Sequence, residues 1–341
     1  MGICICQQME HKIDFVITWV DNSDPEWRER CLRYAKEEGR SITISSERYR
    51  DWDNLRYWFR GVETFAPWVN KVHFITCGHL PKWLNPQAEK LNIVKHSDYM
   101  DERYLPTFSS HPIEFCMHRI EGLSERFVYF NDDTFITNTI KPSRFFHQGK
   151  PCDMSILSPM FIGGMHGHTV YNALDIINHF FNKREVINSH PIQWFHPKYK
   201  SYLIRNLFDY GYSYFTGFHD HHFPQSYLKE TFWDAWEYND KQFDDTCTHK
   251  FRDKEDVCIW VMRYWQLMKG NFHPYNLSND SIYFLLDDIH KVEDVANCIK
   301  LQKKNITVVN DSPLLNDFDK AKVEINDAFE KILPNKSSFE L

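Results

Sequence analysis

Ile13-Asp-Phe-Val-Ile-Thr-Trp-Val20 is a short β-branched run that stops at Asp21-Asn-Ser-Asp-Pro25. An apolar run bounded by turn formers predicts a buried strand ending in a polar loop. Residues 26–39 set Trp27, Cys31 and Tyr34 at helical spacing in a charged background and close on Gly39, which predicts a helix. A second helix is expected over 55–65, and further strands over 69–76 and 91–96. Residues 112–120 read as a helix, with Ser109 and Ser110 as cap candidates and Glu114 in the first turn. Residues 127–136 read as one strand interrupted by Asn131-Asp132-Asp133. Near the end, 305–309 predicts a strand that runs into Asn310-Asp311, and 317–332 a helix that Pro334 ends.

Strands alternating with helices through short loops predict a Rossmann-like parallel α/β sheet flanked by helices. From about 166 to 299 the chain turns helical, aromatic and rich in histidine before the last strand. The expected organisation is therefore one catalytic domain over 1–341. Its sheet core comprises 1–165 and 300–341, and a helical insertion at 166–299 splits that core, to which the final strand returns.

Composition narrows the class. The 341 residues are 42% hydrophobic and 26% charged, a globular profile. Lys+Arg 40 against Asp+Glu 47 gives a net charge of −7, which argues against a general nucleic-acid binder. No stretch approaches the ~20 apolar residues of a membrane helix, and the expected location is cytoplasmic. The nine cysteines are scattered without a C-x-x-C pair, so no structural zinc motif is signalled and a reducing compartment suits them.

Ligands of open α/β sheets sit at the carboxyl ends of the strands, and three predicted strand ends carry acid there. Asn131-Asp132-Asp133 is the first: adjacent carboxylates near a core are costly unless neutralised, and Mg²⁺ or Mn²⁺ is the usual solution. Asp311, at the end of a distant strand, could supply a third carboxylate. Asp21 and Asp24 follow the first strand, although both also suit a plain turn. His219-Asp-His-His222 lacks a matching ligand pair for zinc and fits better as the source of one general base. Arg252 stands just before an expected helix over 257–268, an anion-binding corner or else a solvated charge. The basic-aromatic segment 48–60 reads either as a phosphate site or as an amphipathic helix.

Together these segments resemble the Stealth family of bacterial capsule phosphotransferases, whose catalytic core the animal lysosomal N-acetylglucosamine-1-phosphotransferase shares. Four ordered blocks carry the likeness. The first is Asp14-Phe-Val-Ile-Thr-Trp-Val-Asp-Asn-Ser-Asp-Pro25. The second runs from Arg48 to Ile136 and includes Leu55-Arg-Tyr-Trp-Phe-Arg60, Leu105-Pro-Thr-Phe-Ser-Ser110, Ile113-Glu114 and Phe130-Asn-Asp-Asp133. The third includes His222-Phe-Pro224, Phe243-Asp-Asp-Thr246 and His249-Lys-Phe-Arg252. The fourth is Val309-Asn-Asp311, and the chain closes with Leu333-Pro-Asn-Lys-Ser-Ser-Phe-Glu340.

The resemblance implies a GT-A-like sheet and transfer of a sugar-1-phosphate from a nucleotide-sugar donor to a glycan hydroxyl. A phosphodiester forms and a nucleoside monophosphate leaves. It implies His222, Arg252 and Asp133 as catalytic residues, and Asp132, Asp133 and Asp311 as holders of Mg²⁺ (or Mn²⁺). Asp21, Asp24, Arg48, Asn131 and Arg252 are the implied substrate contacts. Gln225 stands where a second histidine often follows the Pro of the third block, which leaves His219 and His221 as alternatives to His222 as the base. A metal-dependent glycosyltransferase releasing a nucleoside diphosphate is the competing reading, and a glycan-binding protein a more distant one. Peripheral association with a polysaccharide assembly at the inner face of a bacterial membrane is a further expectation, with no nucleic-acid partner.

Overall fold

A computed structural model describes residues 12–21, 23–40 and 51–341 of the protein. Asn22 and Arg48 lie outside the described residues, and so does the role expected of Arg48. The strands are β1 (Ile13–Thr18), β2 (Val72–Thr76), β3 (Leu91–Lys95), β4 (Arg126–Phe130), β5 (Thr134–Ile136), β6 (Phe146–His147), β7 (Lys150–Asp153), β8 (Gln225–Leu228), β9 (His273–Pro274), β10 (Ser281–Leu286) and β11 (Ile306–Asp311). The helices are α1 (Pro25–Glu37), α2 (Leu55–Phe65), α3 (Ser110–Phe115), α4 (Gly164–Phe180), α5 (Lys183–Ser189), α6 (Pro191–Trp194), α7 (Leu203–Asp209), α8 (Lys229–Thr248), α9 (Trp260–Met268), α10 (His290–Lys300) and α11 (Phe318–Ile332).

The main sheet has the order β3-β2-β1-β4-β8. Its first four strands are parallel, and β8 closes the edge antiparallel to β4. Side chains alternate across it. Phe15, Ile17, Val128 and Phe130 pack on one face with Trp58 and Phe59 of α2 and Ile325 of α11. Val16, Phe127 and Tyr129 pack on the other with Phe115 of α3, Phe232 of α8 and Trp265 of α9. Burial on both faces explains why β1 reads as a near-continuous apolar run, and each large side chain so buried contributes roughly 1.5–3 kcal/mol. Much of the aromatic content is therefore core. Gly61 lets α2 approach β5, because a Cβ there would stand 2.6 Å from the Ile136 carbonyl oxygen.

Two polar knots hold the frame at a distance from the strand ends that carry the acids. Asp14, fully buried in β1, accepts from Asn70 Nδ2 (2.7 Å) and Ser124 N (2.7 Å) and pairs with His73 Nε2 (3.1 Å). Burial works to raise its pKa, but these bonds outweigh it and hold the carboxyl below its usual range. Arg60 of α2 forks onto the Glu340 carboxylate (2.8 and 2.9 Å) and donates to Glu330 and the Leu333 carbonyl. That pairing fastens the C-terminal tail to the core and settles the 55–60 portion of the basic-aromatic segment as structural helix.

The topology departs from the sequence expectation in three places. The stretch 127–136 is not one interrupted strand: the chain turns at Asn131–Asp133, where Thr134 N bonds Asn131 O, and β5 enters a second sheet. The final strand does not return to the main sheet. β11 pairs parallel with β10 and antiparallel with β5 in that second sheet, of order β10-β11-β5. The segment 166–299 is largely helical, yet it also supplies β8, β9 and β10. β8 and β9 are too short to stand out, at four and two residues, and β10, although its 282–286 run is apolar, is buried only at its two ends. The mainly parallel sheet flanked by helices is as expected.

Candidate active site

The Asn131–Asp133 turn lies where the two sheets meet. Val309 N of β11 donates to the Asp133 carbonyl (2.9 Å), which brings the β11 end beside the β4 end. Against this junction comes the 219–222 loop. His222 Nε2 stands 3.0 Å from Asp133 Oδ2 and 3.2 Å from Oδ1. An ionised carboxylate only accepts, so this nitrogen carries the proton and Nδ1 is the basic one. The Asn131 amide lies 3.3 Å from the same Nε2, and the Tyr283 ring of β10 packs edge-on to the imidazole at 5.8 Å. Desolvation works to lower the His222 pKa. The bond to Asp133 and the charges of Asp133, Asp132 and Glu114 outweigh it and hold the pKa above the ordinary histidine value.

Asp132 has an unusual setting. It stands exposed at the turn, immediately before the carboxylate of Asp133. Desolvation first, and then the charge of Asp133, push its carboxyl up to about 6. This is a carboxylate short of positive charge.

The facing wall is built from α3 and the 249–256 loop. Ser109 caps α3 by accepting from His111 N, and the helix turns Glu114 inward. Tyr129 Oη of β4 donates to Glu114 Oε1 (3.0 Å) and lies 3.3 Å from Thr18 Oγ1 at the β1 end. Burial raises the Glu114 pKa against the pull of His111 and Arg252. Arg252 is exposed, with Nη2 donating to Ser110 Oγ (3.0 Å). Its loop is fixed by buried Asp256, whose oxygens lie 2.8 Å from His111 Nδ1 and 2.6 Å from His249 Nδ1. Phe251 stacks on Phe108 at 5.1 Å, and Arg40 donates to the Arg252 carbonyl. His166, at the start of α4, is close enough to Arg252, His111 and His222 to feel their charges. Burial lowers its pKa, and the charges of Arg252, His111 and His222 lower it further.

The structure thus joins His222, Asp133 and Asn131, with Asp132 in the same turn, and sets Arg252 near enough for its charge to act on Glu114 and His166. Other expected residues have local duties. Asp24 caps α1 by accepting from Trp27 N (2.7 Å), and Asp21 Oδ1 accepts from Ser23 N and Oγ (2.8 and 2.6 Å). Both carboxylates therefore stabilise the turn after β1, as Asp before Ser and Pro favours. Asp311 accepts from Trp52 Nε1 (3.3 Å) and Ser312 N (2.7 Å). Among the described residues, no three His, Cys, Asp or Glu side chains are gathered to ligate an ion. The Asp132–Asp133 pair alone suits a hard cation that draws its other ligands from phosphate and water. Arg252 does not sit at a helix start either, because α9 begins at Trp260 and a loop intervenes.

The three histidines separate by environment. His219 stacks on Tyr202 (5.2 Å), and burial lowers its pKa to about 4. His221 is buried beside Asp153 and accepts from Gln225 Nε2 (3.2 Å), and burial likewise lowers its pKa to about 4. Arg263 locks that Asp153 with two bonds of 2.8 and 3.0 Å. Gln225, the departure in the third block, therefore serves the buried network, and His222 alone of the three is bonded to Asp133. Glu114, Tyr129 and His166 were not assigned to the site from sequence. Glu114 gave a faint signal as an acid inside an apolar stretch, whereas His166 had none among 18 histidines.

Comparison with known proteins identifies the family. Residues 11–38 match the Stealth protein CR1 (conserved region 1) model and residues 48–153 match Stealth protein CR2 (conserved region 2). The capsular polysaccharide phosphotransferase WcwK of Streptococcus pneumoniae is 42% identical over 332 residues, covering 96% of this chain and 98% of that one. The receptor polysaccharide phosphotransferase WefC of Streptococcus oralis is 35% identical over 341 residues, covering 97% and 100%. Among solved structures, the galactosyltransferase LgtC in complex with donor and acceptor sugar analogues aligns over 92% of this chain and 95% of its own, with 9% identity and a TM-score of 0.38. With near-full-length relatives at this identity, the chain belongs to the Stealth family of polysaccharide phosphotransferases.

Proposed function

We propose that the chain transfers a hexose- or N-acetylhexosamine-1-phosphate from a nucleotide sugar to a glycan hydroxyl during capsule or surface polysaccharide synthesis. The observation that carries this reading is the Asp133–His222 pair, Nε2 to Oδ2 at 3.0 Å, at the junction of the two sheets. In the proposed reaction the glycan oxygen attacks the sugar-linked phosphorus, and its proton passes to His222 Nδ1. The new O–P bond forms as the bond to the bridging diphosphate oxygen breaks, and that oxygen leaves on the nucleoside monophosphate. Asp133 orients the imidazole and steadies its charge, as a carboxylate does behind any histidine base. Arg252 offers its fork of donors to phosphoryl oxygens. Asp132 and Asp133 would hold Mg²⁺ or Mn²⁺, which when bound supplies countercharge to the diphosphate. Asp311, at the neighbouring strand end, and Asn131 would border the donor, with the Asp21–Asp24 turn behind the β1 end.

The donor pool and the expected location favour action in the cytoplasm, at the inner face of the membrane. The test is incubation with Mg²⁺, a glycan acceptor and a panel of nucleotide sugars, with products weighed by mass spectrometry. A gain of sugar plus phosphate on the acceptor is the expected outcome. A gain of sugar alone would make the chain a metal-dependent glycosyltransferase.

A further inference from the structure

Among the described residues, a group of exposed apolar side chains lies away from the strand ends, on α7 and the loop beside it. Ile204, Leu207 and Phe208 of α7 are 56%, 65% and 80% exposed, and Phe161 in the 158–162 loop is 89% exposed. The loop and the helix meet: Ser158, Pro159, Arg205, Phe208, Asp209 and Tyr212 border one cleft, and Arg205 donates to Ser158 Oγ (3.0 Å). Single exposed apolar residues are ordinary, whereas a contiguous group of large ones marks an interaction surface.

The charge around the patch identifies its partner. The chain carries −7 overall, yet residues 191–214 expose Lys198, Lys200 and Arg205 and no carboxylate. Asp209, the sole acid of that segment, is buried and bonded to Lys183 Nζ (2.6 Å). Lys198 is held in place beside this segment, its Nζ 3.1 Å from His273 Nε2. Large apolar side chains, tyrosines at the water boundary (Tyr210, Tyr212 and Tyr214, all exposed) and flanking cations are what an anionic lipid surface selects.

We infer that the α7 face docks on an anionic lipid bilayer, with Leu207 and Phe208 entering the headgroup layer and Lys198, Lys200 and Arg205 meeting lipid phosphates. The 158–162 loop runs on into α4, which carries His166 at the active cleft, so docking holds that cleft near the membrane. This deepens the proposed placement at the membrane, and its test is independent of the reaction.

The experiment is vesicle flotation of the full chain on phosphatidylcholine alone and on vesicles with about a third phosphatidylglycerol. Wild type should float with the anionic vesicles, and do so less as salt rises. Leu207→Ser with Phe208→Ser, and separately Lys198→Glu with Lys200→Glu, should each weaken flotation about tenfold or more. All four positions are exposed and outside the catalytic machinery, so nucleotide release with a soluble acceptor should be unchanged. Failure of wild type to float overturns the inference, as does undiminished flotation of both variants. A concentration-dependent dimer lost in the Leu207/Phe208 variant, without vesicle binding, would assign the face to a second copy of the chain and overturn it equally. Flotation without nucleotide release would remove the proposed reaction and leave the docking surface standing.

Discussion

His222 Nε2 lies 3.0 Å from Asp133 Oδ2, across 89 residues of chain and between two sheets that share no strand. The pair sets the protonation of the site. As a base, His222 must be neutral, and Asp133 raises the pH at which it becomes so. The acid limb of kcat/KM should therefore fall above the ordinary histidine value of about 6.5. Asp133→Asn should move that limb to lower pH, besides lowering kcat, and His222→Ala should lower kcat by about 10²–10⁴-fold. A pH–rate profile of the three proteins checks this. The same pair bears on stability with a fixed sign. A histidine whose folded pKa is raised adds stability below its unfolded pKa, and the gain disappears as pH climbs through the folded value.

Asp132 should behave in the opposite way to a typical stabilising carboxylate. Its folded pKa, about 6, lies above the ordinary aspartate value of 3.8. Its cost is absent below about 4 and complete above about 6. Asp132→Asn should stabilise the metal-free protein at pH 7.5 by about 1 kcal/mol, a figure reduced because water reaches the group. The gain should vanish near pH 4. Added Mg²⁺ should raise the melting temperature of wild type more than that of the variant. Thermal scans at both pH values, with and without Mg²⁺, read out both effects.

Arg252→Lys should not rescue Arg252→Ala. Lys keeps the charge and loses the planar fork that bridges two phosphoryl oxygens. Both variants should lose about 10²-fold or more in kcat/KM, with folding unaltered because the guanidinium is exposed and its hydrogen bond to Ser110 Oγ lies at the surface. Initial rates with saturating acceptor distinguish them from wild type.

His221 gives a stability signature without a catalytic one. Its folded pKa is near 4, below the usual 6.5, so the unfolded chain takes up its proton first and stability falls as pH drops from about 6.5 towards 4. His221→Gln should flatten that part of the stability curve while leaving the pH–rate limb assigned to His222 in place. His219→Gln should flatten it in the same sense, since burial lowers the His219 pKa to about 4 as well, and should also leave the pH–rate limb in place. Urea titrations at pH 7, 5.5 and 4.5 make the comparison.

The legible parts of the fold were those whose local pattern already matched their burial. β1 and α2 were evident because β1 is buried on both faces and α2 presents one apolar stripe. The second sheet was illegible for a physical reason. β4 and β5 are both apolar, and nothing in Phe127-Val-Tyr-Phe-Asn-Asp-Asp-Thr-Phe-Ile136 says that the chain changes partner at Asn131, because partner choice is a long-range property. In the site, His222, Asp133 and Arg252 were found through the family blocks. Glu114 and His166 became visible only once α3 and α4 packed against β4. Asp24 was ambiguous from sequence, since an acid ahead of Pro25 serves a helix cap as readily as a ligand.

The most direct measurement uses a donor labelled with ³²P at the sugar-linked phosphorus, incubated with enzyme, Mg²⁺ and acceptor glycan. Phosphoryl transfer sends the label to the glycan and leaves an unlabelled nucleoside monophosphate. Label recovered in a nucleoside diphosphate, with none on the glycan, would mean that the sugar–oxygen bond breaks and would contradict the reaction assigned to the Asp133–His222 pair.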